Sequence, residues 1–162
     1  MTAHDVLKSL VDFCHMVART YLEDLTDEQL LVRPVPQCNH IAWQLGHLIT
    51  SDQQMLTELG HPAPALPPGF AERHTKETAT SDKPAQFCKK SEYLALMDRM
   101  KAAVLAAIDA TPANGLDRPA PESMRGYAPT VADALSLLGT HWLMHAGQWV
   151  PIRRKLGKPP LF

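Results

Sequence analysis

Cysteine is scarce in this chain of 162 residues: Cys14, Cys38 and Cys88 only. Three is an odd number and no CxxC spacing occurs, which excludes a disulfide framework and a cysteine-rich zinc site and indicates a reducing compartment. No stretch approaches the ~18 uninterrupted apolar residues of a membrane span. The start, Met1-Thr2-Ala3-His4-Asp5, lacks a basic region followed by an apolar run, so no signal peptide is read and the expected location is the cytoplasm. An excess of positive charge is also missing. The net charge is −1 and the pI about 6.7, without the basic footprint of a nucleic-acid binder.

What is present is a globular composition, 45% hydrophobic and 20% charged, in a length that suits one domain over residues 1–162. Four long segments have helical periodicity, and the fold class they predict is all-α. In the first, Leu7, Leu10, Cys14, Val17 and Tyr21 recur at three and four residues, with Thr2 as N-cap and Asp5 in the first turn. Cys14 reads as a small core residue, and His4 and His15 as solvated. Thr26-Asp27-Glu28-Gln29 has capping-box form. The second helix is expected from the N-cap Asn39 to Leu59, with Gly60 just past its end. Ser91 is the expected cap of the third, which Thr111-Pro112 ends. Thr130 caps the fourth, with Asp133 at its third position. Pro151 predicts a kink there rather than a stop, because Ile152 to Leu156 remains helix-like. The run Arg153-Arg154-Lys155 reads as a solvated helix end, and the apolar tail Pro159 to Phe162 as a docking segment. Between the second and third helices, His61 to Lys90 carries Pro62, Pro64, Pro67, Pro68 and Pro84. A connection this long is read as a crossover from one end of the bundle to the other, which allows parallel neighbours. His74 within it reads as solvated.

The chemistry centres on His141-Trp142-Leu143-Met144-His145. Two imidazoles four residues apart on a helix lie roughly 40° from each other, one turn apart, so both can reach one ion. With His47 of the second helix they are read as one metal site; the plainer alternative is a pair lining a core edge or facing solvent. His47 sits roughly 140° from its helix's apolar stripe, which by itself marks a surface residue, but Trp43 one turn earlier suggests a second packed face. Gln44 and Gln148 are candidates to orient the imidazoles, with a solvated side chain the plainer reading of Gln44. Asp52 is an acid oddly placed on the apolar side, able to cap, pair or face a cavity. Trp43 and Trp142 read as core.

Two segments resemble the DinB/YfiT-like superfamily of four-helix-bundle metalloproteins. One is Asn39-His40-Ile41-Ala42-Trp43-Gln44-Leu45-Gly46-His47-Leu48. The other is His141 to Gln148, followed by Arg153-Arg154-Lys155-Leu156-Gly157. The resemblance implies an up-down-down-up four-helix bundle with the proline-rich crossover between helices 2 and 3. It also implies that His47, His141 and His145 are ligands of a divalent metal ion: zinc or nickel first, with iron or manganese as alternatives. Activities known in the superfamily include metal-dependent S-transfer of low-molecular-weight thiols. A thiol S-transferase is therefore the expected enzyme, with such a thiol as co-substrate. A metal-dependent hydrolase and a non-catalytic metal-binding or protein-interaction bundle are the alternatives. The expected partner is a small-molecule substrate, without nucleic acid or membrane, and a homodimer is left open.

Overall fold

A computed structural model describes residues 1–159 and Leu161. The expected docking of the tail falls partly on Pro160 and Phe162, outside the described residues. Four helices carry the fold: α1 (Ala3–Leu22), α2 (Ile41–Glu58), α3 (Lys90–Ala110) and α4 (Val131–Lys155). Among the described residues there is no strand, only one isolated bridge between Pro119 and Thr130, and no helix is long and apolar enough to cross a membrane.

Side-chain pairings fix the helix directions. Arg153 near the end of α4 donates to the Tyr21 carbonyl at the end of α1 (3.0 Å), so these two run parallel. Lys8 pairs with Asp109 at 2.7 Å and Lys101 with Asp12 at 2.7 Å, so α3 opposes α1. Trp142 meets Asp52 and Trp149 meets Gln44, so α2 opposes α4. The order is up-down-down-up, with α2 and α3 parallel as the crossover predicts.

Helix ends follow local chemistry. Thr2 and Thr130 form the expected capping boxes with Asp5 and Asp133, each satisfying otherwise orphaned amides. Gly60 (φ 80°) closes α2 in the left-handed region while the His61 amide reaches the Leu56 carbonyl at 2.9 Å. Two caps differ from expectation. α2 is capped by His40, whose Nδ1 accepts from the Trp43 amide at 3.1 Å; an imidazole performs the role that sequence statistics give to Asn39. α3 begins at Lys90 rather than after Ser91. The Lys89 amide donates to Glu92 (2.8 Å) and the Lys90 amide to Asp27 (2.6 Å), so the cap is supplied from a distant loop. α4 continues through Pro151 to Lys155. Beyond that proline Arg153 is not solvated: it is 2% exposed and pairs with Asp24, holding Asp24 down at about 2 through hydrogen bonding and charge.

The core has two apolar clusters. One gathers Leu22, Ile41, Leu45, Met97, Trp149 and Ile152; the other Leu7, Val11, Leu56, Val104, Ile108 and Leu135. Two buried polar groups, Asp52 and His15, contact Trp142 within this core. The indole donates to Asp52 Oδ2 at 2.7 Å, and His15 packs on the ring at 4.9 Å. Asp52 is fully buried and its pKa is driven well above the usual carboxylate value by burial.

His15 corrects the sequence reading. It is 2% exposed and neither ring nitrogen has a hydrogen-bond partner among the described residues. Periodicity marks residue 15 only as flanking the stripe; α3 covers it from the other side. Burial pushes its pKa down to about 4. The unfolded chain therefore takes up a proton at higher pH than the folded one. The stability His15 confers as a neutral group is complete above about pH 6.5 and drains as the pH falls through about 4. Urea unfolding of wild type should weaken across this window. His15→Leu should weaken less, by on the order of 2 kcal/mol. Parallel pH profiles for the two proteins would show that His15 is not held neutral.

Candidate metal centre

α2 and α4 bring His47, His141 and His145 together. One ligand atom from each lies within 4.8 Å of the other two, and ring centroids are separated by 4.9–5.3 Å. The three residues that sequence reasoning singled out thus share one locus, with His145 buried and the other two half-buried.

The protein orients these rings. Trp149 Nε1 lies 2.9 Å from Gln44 Oε1, and His145 Nδ1 lies 2.8 Å from the same oxygen. An indole N–H only donates, so the shared atom is the amide oxygen; Gln44 Nε2 correspondingly donates to the Asn39 carbonyl at 2.8 Å. His145 Nδ1 must then carry the proton, which leaves the Nε2 lone pair for a ligand. Gln44 is buried, not solvated, while the other candidate, Gln148, is exposed. The signal for Gln44 was available: it sits one turn N-terminal to Leu48, on the face α2 turns to α4.

His47 is held by stacking. Trp43 lies parallel to it, at 4° and 5.2 Å, and the indole N–H donates to the Thr75 carbonyl at 2.9 Å. This is the second packed face that the Trp43–His47 spacing suggested. The crossover is in turn pinned by His74, which the sequence reading left in solvent and which is 4% exposed. Its Nδ1–H donates to the Phe70 carbonyl (2.7 Å), so its Nε2 accepts from the Tyr93 hydroxyl (2.7 Å). The ring lies over Gly46, where a Cβ would stand 2.0 Å from His74 Cδ2. No periodic pattern exists in a loop to reveal such a residue; the close approach over a helical glycine was its only trace.

Burial lowers the pKa of all three site histidines. His141 falls to about 4 and His145 to about 3, mutual repulsion adding to desolvation, and His47 is lowered by desolvation. The set is neutral at pH 7. Three neutral imidazoles, one with its lone pair directed by Gln44, suit a divalent cation, and the three could hold one. No protein group among the described residues hydrogen-bonds to His47 or His141, whose ring nitrogens remain available.

A cleft of about 540 Å³ opens on His47 and His141, lined further along α2 by Ser51 and Glu58 and opposite by Met124 and Met144. Asp52 does not line it: the acid turns inward to Trp142. Nor do the cysteines, of which Cys14 is buried in the core and Cys88 lies by a different hollow.

No curated protein matches the chain. Among solved structures, one of a conserved protein from Enterococcus faecalis superposes with a TM-score of 0.69, covering 98% of this chain and 99% of that one at 16% identity. A likeness at that identity speaks for the fold. The family profile of the DinB superfamily matches residues 10–149, a span that includes all three histidines. The match extends from the first turns of α1 to Trp149, well over half the sequence, and the chain belongs to the DinB superfamily.

Proposed function

We propose that His47, His141 and His145 hold one divalent ion and that the site activates a low-molecular-weight thiol for transfer to an electrophile. The observation that carries this reading is the trio of neutral imidazoles converging within 4.8 Å, two of them lining an open cleft. A purely structural ion is normally enclosed by four protein ligands, whereas here three imidazoles converge and two of them, His47 and His141, line a cleft large enough for a substrate. A bound divalent cation supplies positive charge that stabilises a thiolate, the nucleophilic form of a thiol, near neutral pH.

The chain's own residues divide the remaining work. Gln44 fixes the His145 tautomer and Trp43 holds the His47 ring plane. Glu58 is the carboxylate lining the cleft, about 16 Å along α2 from His47, too far to act as a base at the histidines. That supports a nucleophile needing no side-chain base. None of the three cysteines reaches the site, so the thiol would be a diffusible one.

The test is alkylation of a low-molecular-weight thiol by a small electrophile, followed with zinc- and nickel-loaded protein. Loaded wild type should accelerate the reaction, and His47→Ala should return it to the rate of metal and thiol alone. Equal rates for wild type and variant across a panel of thiols would remove the transferase reading.

A further inference from the structure

The cleft has a chemical polarity along its length. His47, Ser51 and Glu58 follow one face of α2, Glu58 being eleven residues beyond His47 and therefore roughly 20° from it in projection, about 16 Å along the axis. The opposite wall is apolar and adaptable: Met124, Leu137, Met144 and Tyr127. Met144 and Tyr127 are 61% and 64% exposed at its rim, so this cleft carries apolar surface that a ligand would cover. No lysine or arginine lines it; Arg125 of the adjoining loop is turned to the Ala120 carbonyl at 2.6 Å.

Glu58 is a built feature of the far end. One carboxylate oxygen accepts from Gln54 Nε2 at 2.8 Å, the other from the Ser123 hydroxyl. These two donors come from α2 and from the loop before α4, so they fix the carboxylate where the two walls meet. A carboxylate offers about four acceptor positions, and two remain for a ligand.

We infer that the cleft selects an elongated ligand with an apolar body, its metal-seeking end at the histidines and a cationic amine at Glu58. An anionic end group would be rejected there. This rests on the three-histidine reading for one end of the ligand only; the choice of charge at the other end belongs to Glu58. A carboxylate or phosphate placed there would meet Glu58 with no cation to offset it. An ammonium would gain two charge-assisted hydrogen-bond positions. The methionines of the wall can repack around bodies of different shape, so selection by charge is stricter than selection by outline.

The experiment compares ω-amino-, ω-hydroxy- and ω-carboxyalkanethiols of one chain length, titrated calorimetrically into wild-type, Glu58→Gln and Glu58→Lys proteins, each metal-free and cobalt-loaded. Wild type should bind the amino compound at least about fivefold more tightly than the carboxy compound, the scale of one partly exposed ion pair. Glu58→Gln should bring the two within about twofold, and Glu58→Lys should invert the order. The preference should persist without metal, with all affinities weaker. Wild type binding the carboxy compound as well as the amino one, or a preference unchanged in Glu58→Gln, overturns the inference. If cobalt fails to strengthen thiol binding while the charge preference stands, the three-histidine reading falls and the role of Glu58 survives.

Discussion

Replacing His145 by alanine should abolish tight metal binding while leaving the bundle folded. The site is asymmetric. His141 and His145 come from one helix and His47 from another, and His145 is the candidate ligand whose free nitrogen is set by a buried partner. Removing it leaves two half-buried imidazoles that no protein hydrogen bond orients. The loss should exceed about a hundredfold in affinity, since disturbing an orienting partner alone typically costs 10–100-fold. Gln44→Leu tests that lesser effect in the same protein, and should fall within the smaller range. The fold should suffer little from His145→Ala. Gln44 keeps its bond from Trp149, and the apolar clusters on either side of the site are untouched, so a loss of about 1–2 kcal/mol is expected. Titration of chelator-stripped wild type and variants with zinc and nickel, beside urea unfolding of each, separates the two quantities. Undiminished affinity in His145→Ala would dismantle the site; a collapse of folding with it would mean the imidazole is structural first.

The second large effect lies at Gly46. Glycine in a helix interior is normally improved by alanine, by about 1 kcal/mol. Here the new methyl would fall 2.0 Å from His74 Cδ2. The ring cannot swing away cheaply, because both its nitrogens are tied, to Phe70 and to Tyr93. Gly46→Ala should therefore destabilise by about 2–3 kcal/mol despite the propensity gain. It should also loosen the crossover segment that accepts the Trp43 N–H, and with it the plane of His47. Adding His74→Ala to Gly46→Ala should recover part of the loss, because the clash is removed along with the ring. A double-mutant cycle reads this coupling directly. Additive effects, or a Gly46→Ala protein as stable as wild type, would show that the ring yields more easily than its two hydrogen bonds imply.

The parts of this molecule that were legible in the sequence are those governed by period and by local caps. The apolar stripes located four helices, Thr2 and Thr130 marked two starts, Gly60 marked one stop, and thirty residues of proline-broken chain implied the parallel pair. HxxxH gave two of the three imidazoles from spacing alone. His47 resisted that treatment because it faces α4 from outside the main stripe of α2; Trp43 beside it was the local hint, and resemblance to a family supplied the rest. What stayed hidden depends on distant partners. His15 and His74 are ordinary polar letters until α3 and the crossover close over them. Gln44 was legible as a candidate from its place one turn before His47, but its fixing of the His145 tautomer depends on Trp149, 105 residues away, donating to its oxygen. Lys90 takes its cap from Asp27, 63 positions back. No window of neighbouring residues contains such information.

That same separation sets a timetable for synthesis. Gln44 and His145 are 101 residues apart, Asp52 and Trp142 90 apart, and Arg153 is 129 from the Asp24 it pairs with. α4 packs on both α1 and α2, so while it is still inside the ribosome these helices, α1 above all, lack part of the surface that covers their apolar faces. Loop closure over such distances is slow, and the waiting chain exposes hydrophobic stripes. A nascent chain stalled before Val131 should accordingly be protease-sensitive and dependent on chaperones. The three-histidine cluster would then assemble abruptly, with the emergence of a single helix, rather than growing as the chain lengthens.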